Sequence, residues 1–175
     1  MSMDVEHAIA TKRAVRKFAD QPVEPGELRR ILDAGRRAGS SKNLQRWDFI
    51  VVRDRAVLGR LAGVGAFAGH IAGAAVAVAL VTPDPRAPDQ PLSVTWDAGG
   101  AAAQMMLAAW AMGIGSCPAT VYDQPLARSI LGYPEDRHCE YILSFGYPAD
   151  PAALAAPLRP GKRRPLDEIV HEERW

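Results

Sequence analysis

The sequence is poor in the features that mark several protein classes. It carries two cysteines in 175 residues, Cys117 and Cys139, too few for a disulfide framework, so a reducing cytoplasm is expected. The formal net charge is only +1, which leaves no broad basic field of the kind that holds nucleic acid or an anionic membrane face. Any anion site must therefore be local. Aromatic residues make up 7%, few for a surface that stacks single-stranded bases, so no nucleic-acid partner is expected. The longest apolar run, Ile71 to Val81, is about half of the ~20 residues a membrane span needs. It reads as a buried strand. The opening segment "MSMDVEHAIATKRA" has no apolar stretch of the signal-peptide type. His7, His70, His138 and His171 are scattered without i, i+4 pairing, so no metal site is expected. There is no G-x-S-x-G elbow and no G-x-G-x-x-G after a strand, and Ser116 and Cys117 in "GIGSCP" have no adjacent base. Cys117 reads as a buried structural thiol, and no residue is assigned a catalytic acid, base or nucleophile role.

What remains is 48% hydrophobic and 23% charged, the make-up of one globular domain over residues 1–175. Val5, Ala8 and Ile9 predict a short helix between Asp4 and Arg16 that runs into the cluster Lys12-Arg13-Ala14-Val15-Arg16-Lys17. Pro25 opens a second helix, with Leu28, Ile31, Leu32 and Ala38 at helical spacing and Gly39 as its stop. A strand at Phe49–Val52 and a helix capped by Asp54 follow. "HIAGAAVAVALV" leads into a second strand. Asp97 precedes "AGGAAAQMMLAAWAMGIG", rich in Ala and Met on every face, which predicts a central helix packed on several sides and ended by Gly113 and Gly115. Asp123 and Gly132 bracket another helix, and "EYILSFGYP" is a third strand. The Pro-rich tail "AALAAPLRPGKRRPLDEIVHEERW" is expected to run across another surface. Interspersed elements with irregular crossovers predict an α+β fold with one sheet.

Two short basic clusters stand out in this nearly neutral chain: Lys12, Arg13 and Arg16, and Lys162, Arg163 and Arg164. Two or three such groups can hold one phosphomonoester by charge-assisted hydrogen bonds. Short basic runs are also commonly solvated, and that reading stays open. The stretch "SSKNLQRW" at 40–47 supplies amides and hydroxyls suited to the edge of a flat heterocycle, or only a polar turn around Asn43. Trp47 reads as its packing anchor.

Taken together, "TKRAVRKFADQPV", "AGSSKNLQRWDFIVV", "DAGGAAAQMMLAAWAMGIGSCPATVYD", and "ILSFGYP" followed by "KRRPLDEIV" resemble, in order, four motifs of the nitroreductase family. The resemblance implies a single mixed, mostly antiparallel sheet flanked by helices, in an intertwined homodimer with FMN at the subunit interface and NADH or NADPH as co-substrate. It implies that Lys12, Arg13, Ala14 and Arg16 meet the FMN phosphate and, at Arg16, the pyrimidine edge. Ser40, Ser41, Asn43 and Gln45 would come from the other subunit. Pro118, Ala119 and Thr120 would lay their backbone against the flavin ring, with an amide near N5. Arg163 and Arg164, with Lys162 if the register slips by one, would form a second phosphate clamp. The chain departs from the family pattern at Ala14, where a serine is common, and at Gly39 and Arg46, where prolines are usual. It also lacks room between Val81 and Trp96 for the helices that longer members place over the site. The implied activity is hydride uptake from NAD(P)H and electron transfer to a small acceptor, a nitro compound or quinone, by a ping-pong mechanism. Specialised flavin chemistry (fragmentation, dehalogenation, azoline oxidation) and a non-enzymatic flavin carrier are the alternatives.

Overall fold

The computed structural model describes residues 3–155 and 163–175. Helix α1, Val5–Thr11, starts where the Asp4 carboxylate accepts from the His7 amide. It ends at Thr11, not at Arg16. The Thr11 hydroxyl donates back to the His7 carbonyl (2.6 Å) and accepts from Trp110 Nε1 (2.9 Å), so the helix is tied off before the basic residues. Residues 12–17 run on as extended chain, because Val15 finds a backbone partner on the sheet.

Helix α2, Pro25–Arg36, has Pro25 in its first turn and a reciprocal cap between Glu24 and Glu27. It stops three residues short of Gly39, at a cap on Arg37 whose side chain, with that of Arg36, is drawn to Asp33. Strand β1 is Asp48–Val52, and helix α3, Arg55–Leu61, is capped by Asp54 as expected. The apolar run from Ile71 is not one strand. Its first residues close a short 3-10 helix, Gly69–Gly73, and strand β2 is Val76–Pro83.

Helix α4, Ser93–Ala111, begins four residues before Asp97, which lies inside it. Its covered stripe is Val94, Asp97, Ala101, Met105 and Ala109, while Gly99, Gly100, Ala103 and Gln104 are exposed. Trp110 is buried as well, against Ala8 and Val15, so the expected packing on several sides holds toward the end of the helix, while the 99–104 stretch leaves one face open. Gly113, at φ 76°, turns the chain into strand β3, Gly115–Thr120, which the sequence reading did not assign. Gly, Ser, Pro and Ala have little strand preference of their own, and Pro118 is tolerated because β3 is an edge strand. Helix α5, Gln124–Leu131, lies between the Asp123 cap and Gly132 at φ 73°. Strand β4 is Arg137–Gly146, and a last short helix, α6, is Ala152–Ala155.

The sheet runs β1-β2-β4-β3 with every named pairing antiparallel. The parallel component of the expected mixed sheet is the isolated bridge between Ala14 and Ser116. Alternate residues of β2 and β4 serve two cores. Val76, Val78, Leu80, Leu143 and Phe145 face α2 and α4, where Ile31 and Met105 are fully buried. Ala77, Ala79, Val81 and Ile142 face the side holding Leu58, Leu61 and Ala127, from α3 and α5. Helices thus cover both faces, and the open positions of the sheet are its edges.

Candidate functional site

The outer edge of β3 carries the first basic cluster. The Val15 amide donates to the Ser116 carbonyl at 2.9 Å, and the Val15 side chain, 6% exposed, lies against Gly115. A Cβ on Gly115 would sit 2.6 Å from Val15 Cβ, so this close approach requires glycine. The contact strings Lys12, Arg13 and Arg16 along the edge. Lys12 is half-buried and its Nζ approaches Met106 Sδ at 3.6 Å. Burial lowers its pKa, with Cys117 acting in the opposite sense. Arg13 donates from Nε to the Thr11 carbonyl and lays its guanidinium over the Trp110 ring, 5.9 Å from the centroid. Among the described residues no carboxylate is ion-paired with Lys12 or Arg16. Lys12, half withdrawn from water without a counter-charge, and the exposed Arg16 beside it suit an anionic ligand.

The backbone of β3 adds a donor. Val121 donates to the Glu140 carbonyl, so residues 117, 119 and 121 turn toward β4, whereas the Ser116 carbonyl faces outward to Val15. Pairing runs without a slip from Gly115–Gly146 to Thr120–Tyr141, so 118 and 120 also face outward. Pro118 has no N–H and that of Ala119 is committed to β4. Thr120 therefore supplies the amide of this segment that reaches the free edge, and no acceptor meets it among the described residues. Beyond it the edge is closed. The Tyr122 and Asp123 amides donate to the Val64 carbonyl, and a Cβ on Gly65 would lie 2.5 Å from the Thr120 oxygen. Between these two covers, from Ser116 to Thr120, the open edge is about 13 Å long. The Cys117 thiol behind it is raised by burial, against the pull of Arg16 and Lys12, which keeps it neutral packing rather than a nucleophile.

The 40–47 stretch is a second constellation. Lys42, Asn43 and Gln45 have φ of 54°, 56° and 48°, the left-handed region, at a cost on the order of 1–2 kcal/mol each. Such a loop persists only if its surroundings hold it. Gln45 N donates to Ser40 Oγ (3.0 Å), Gln45 Nε2 to Asn43 Oδ1 (3.0 Å), and Ser41 N to Asp97 Oδ2 (3.0 Å). Asp97, 3% exposed, was missed as a site residue by the sequence reading. The one signal was an acid inside an apolar helix. Trp47 is buried with Ala38 and Ala101, as expected of an anchor. Ser41, Asn43 and Gln45 stay exposed, and Ser40 and Ser41 help line a cavity of about 400 Å³ with Trp96, Asp97 and Gln104.

The two constellations do not meet in one chain. Asp97 holds the loop and Met106 touches Lys12, and nine residues of helix separate them by about 13 Å. Arg163 and Arg164 lie on a tail whose described residues, 163–175, are all exposed and whose hydrogen bonds are internal, such as Arg164 with Glu168. The second basic cluster is thus not placed beside the first, and Lys162 lies outside the described residues. A cavity of about 520 Å³ between α2 and β1 is lined by Arg29, Asp33, Arg36 and Gln45. Asp33 is already neutralised by Arg36 and Arg37, so that cavity has no unpaired charge for a ligand at Asp33.

The edge of β3 thus presents Lys12 and Arg16, neither ion-paired among the described residues, beside the outward amide of Thr120. The Nitroreductase family pattern matches residues 9–66 and 62–147, and the chain belongs to that family. It is 31% identical, over 95% of this chain and 96% of the relative, to a protein of Archaeoglobus fulgidus called "Putative NADH dehydrogenase/NAD(P)H nitroreductase". Among solved structures it resembles an FMN-dependent nitroreductase of Clostridium difficile, with TM-score 0.80, 27% identity and coverage of 96% of this chain and 98% of the other. It also resembles the NADPH:FMN oxidoreductase of Vibrio harveyi complexed with NAD+, with TM-score 0.82, 25% identity and coverage of 96% and 76%. Among the described residues no helix is long and apolar enough to cross a membrane.

Proposed function

We propose that this chain, as one domain and in a cytoplasmic homodimer, holds FMN along the outer edge of β3. There it passes electrons from NAD(P)H to a small acceptor, a nitro compound or quinone, by a ping-pong mechanism. The chain is an NAD(P)H-dependent flavin oxidoreductase of the nitroreductase family with FMN as cofactor. The observation that carries the placement is the open stretch of β3, where among the described residues Lys12 and Arg16 lack ion partners and the Thr120 amide lacks an acceptor. An anionic, flat, hydrogen-bonding ligand supplies what each of these groups lacks.

Lys12 and Arg13, with the backbone at Ala14, would hold the phosphate, and Arg16 the pyrimidine edge. Pro118, Ala119 and Thr120 would face the ring, and of these only the Thr120 amide points outward to donate. Ser40, Ser41, Asn43 and Gln45 would come from the second copy, because in one chain their loop is anchored at Asp97 and Lys12 at Met106, positions about 13 Å apart along α4. The exposed tail would carry Arg163 and Arg164, with Lys162, onto the partner as a second phosphate clamp. FMN, when bound, supplies the two-electron redox chemistry, which is why the chain needs no acid/base pair of its own. Arg16 and the Thr120 amide are fixed dipole and charge where negative charge has to be held, the same preorganisation as in an oxyanion hole.

The test is the visible spectrum of the purified protein before and after anaerobic NADH and NADPH. A yellow protein that bleaches supports the reductase. Colour without bleaching supports a carrier or a specialised reaction of the same fold, and no colour with no FMN uptake removes the reading.

A further inference from the structure

The segment that joins β2 to α4, residues 84–92, is pinned to the sheet by a buried imidazole. His138 of β4 is 3% exposed and stands opposite Thr82 of β2. Its Nδ1 lies 3.1 Å from Arg86 Nη2, and its Nε2 lies 2.7 Å from Glu140 Oε2. A guanidinium can only donate, so Nδ1 is the bare acceptor and the network assigns the ring hydrogen to Nε2, which donates it to Glu140. The neutral ring satisfies both neighbours in this tautomer and in no other. Arg86 is held in turn by Asp84, whose Oδ1 is 3.1 Å from its Nε and whose Oδ2 is 3.2 Å from its Nη2.

Pro85, in the same segment, closes a small apolar cavity of about 50 Å³ with Leu80, Ala98, Ala102 and Tyr141. The Ala87 and Gln90 amides bond within the segment, to the Asp84 and Ala87 carbonyls, and the Pro91 carbonyl accepts from the Val94 amide in the first turn of α4. Among the described residues, the bond from Arg86 to His138 is therefore the hydrogen bond that ties residues 84–92 to the sheet.

A second proton can enter the ring only at Nδ1, where the Arg86 N–H already points. Donor would then face donor and cation would face cation, so an imidazolium and a docked Arg86 exclude each other. Glu140 and Asp84 supply negative charge on either side of this contact, and Arg86 the positive charge. The other groups packed here are neutral or engaged elsewhere. On β2 the Thr82 hydroxyl donates to the Pro83 carbonyl, and on α4 Asp97 is turned to Ser41. Gln124 of α5 covers the Cys139 backbone, and Arg137 pairs with Asp136.

We propose that His138 is a pH-sensitive clip on the segment between β2 and α4. Neutral, it docks Arg86 and keeps residues 84–92 over the cavity. On taking a proton from solvent at Nδ1 it expels Arg86 and the segment lifts, while Nε2 keeps its bond to Glu140. Arg86 leaves together with Asp84, which belongs to the same segment, so each cation keeps a carboxylate through the change. The closed form is present above the His138 midpoint and is lost as pH falls through it. The device is independent of what binds at the β3 edge.

The experiment uses the full chain. Nitrogen NMR of the His138 ring at about pH 8 should show the hydrogen on Nε2 and a bare Nδ1, and a hydrogen on Nδ1 overturns the proposal. Exchange protection of the Arg86, Ala87 and Gln90 amides, corrected for the intrinsic rate at each pH, should fall tenfold or more relative to β2 as the ring titrates between about pH 8 and 5, the order of one hydrogen bond to a charged group. In His138→Gln the side-chain carbonyl can accept from Arg86 and the amide can donate to Glu140, but neither takes up a proton, so protection should stay high at every pH. Arg86→Gln, a change at an exposed position, should leave protection low at every pH. Constant protection in the wild type while the ring titrates, a ring that does not titrate in this range, or the same fall with pH in Arg86→Gln as in the wild type overturns the clip.

Discussion

Replacing Gly115 by alanine tests the way the basic cluster is mounted. The new Cβ would stand 2.6 Å from Val15 Cβ and 2.6 and 2.8 Å from its two methyls, all of them atoms fixed close to the backbone. No rotamer of Val15 relieves contacts that include its own Cβ, so the 12–16 segment has to move off β3. Overpacking of this kind costs about 1–3 kcal/mol. In a chain of this size that lowers Tm by about 2–4 °C per kcal/mol. The displaced segment carries Lys12 and Arg16, so FMN retention should fall by about tenfold or more, the equivalent of ~1.4 kcal/mol. The assay is urea denaturation and FMN fluorescence quenching on Gly115→Ala, Val15→Ala and the double variant. Val15→Ala removes two of the three clashing atoms, so the double variant should be less destabilised than the sum by 0.5 kcal/mol or more, on the order expected for contacting residues. Gly59→Ala is the control. A Cβ there meets nothing within 4 Å, and alanine in that helix should be neutral or stabilising by up to about 1 kcal/mol. Additive effects with unchanged FMN binding would refute the view that Val15 on Gly115 positions the site.

Asn43→Gly keeps the φ of 56° accessible while deleting the amide, so the fold should survive and FMN retention fall about tenfold. Equal retention makes the loop a turn and nothing more. Asp97→Ala removes the acceptor of the Ser41 amide, at a cost of about 1.5–3 kcal/mol for a bond to a charged group. Hydrogen exchange at residues 41–45 should quicken, and unchanged exchange would show that Asp97 does not hold the loop. Burial and Arg16 hold His70 below its ordinary 6.5, so the unfolded chain binds a proton at a higher pH than the folded one. Stability of the apoprotein should therefore drop as pH falls below about 6.5. The drop should be shallower in His70→Gln, and equal slopes in urea titrations between pH 7 and 5 would contradict the assignment.

The features legible in the sequence are those decided within a few residues. Asp54 and Asp123 cap α3 and α5, Pro25 opens α2 and Gly132 closes α5, because caps and left-handed turns are local chemistry. The apolar run from Ile71 to Val81 was legible as a buried strand in its second half, Val76–Val81, though not in its start, which closes a 3-10 helix, and the order of four motifs was enough to point to the family. The features that escaped depend on distant partners. "GSCPAT" is a strand because β4 pairs with it, and the helix after Asp4 stops at Thr11 because Trp110 takes its hydroxyl. Which of Pro118, Ala119 and Thr120 can donate to a ligand follows from strand parity, set at Val15 and Glu140 far along the chain. The sequence by itself determined the chemistry available, a few arginines and lysines, a polar loop and a nearly neutral remainder. Only the tertiary structure decided where that chemistry points, since the direction of a backbone amide and the isolation of a charge are properties of the groups packed around them.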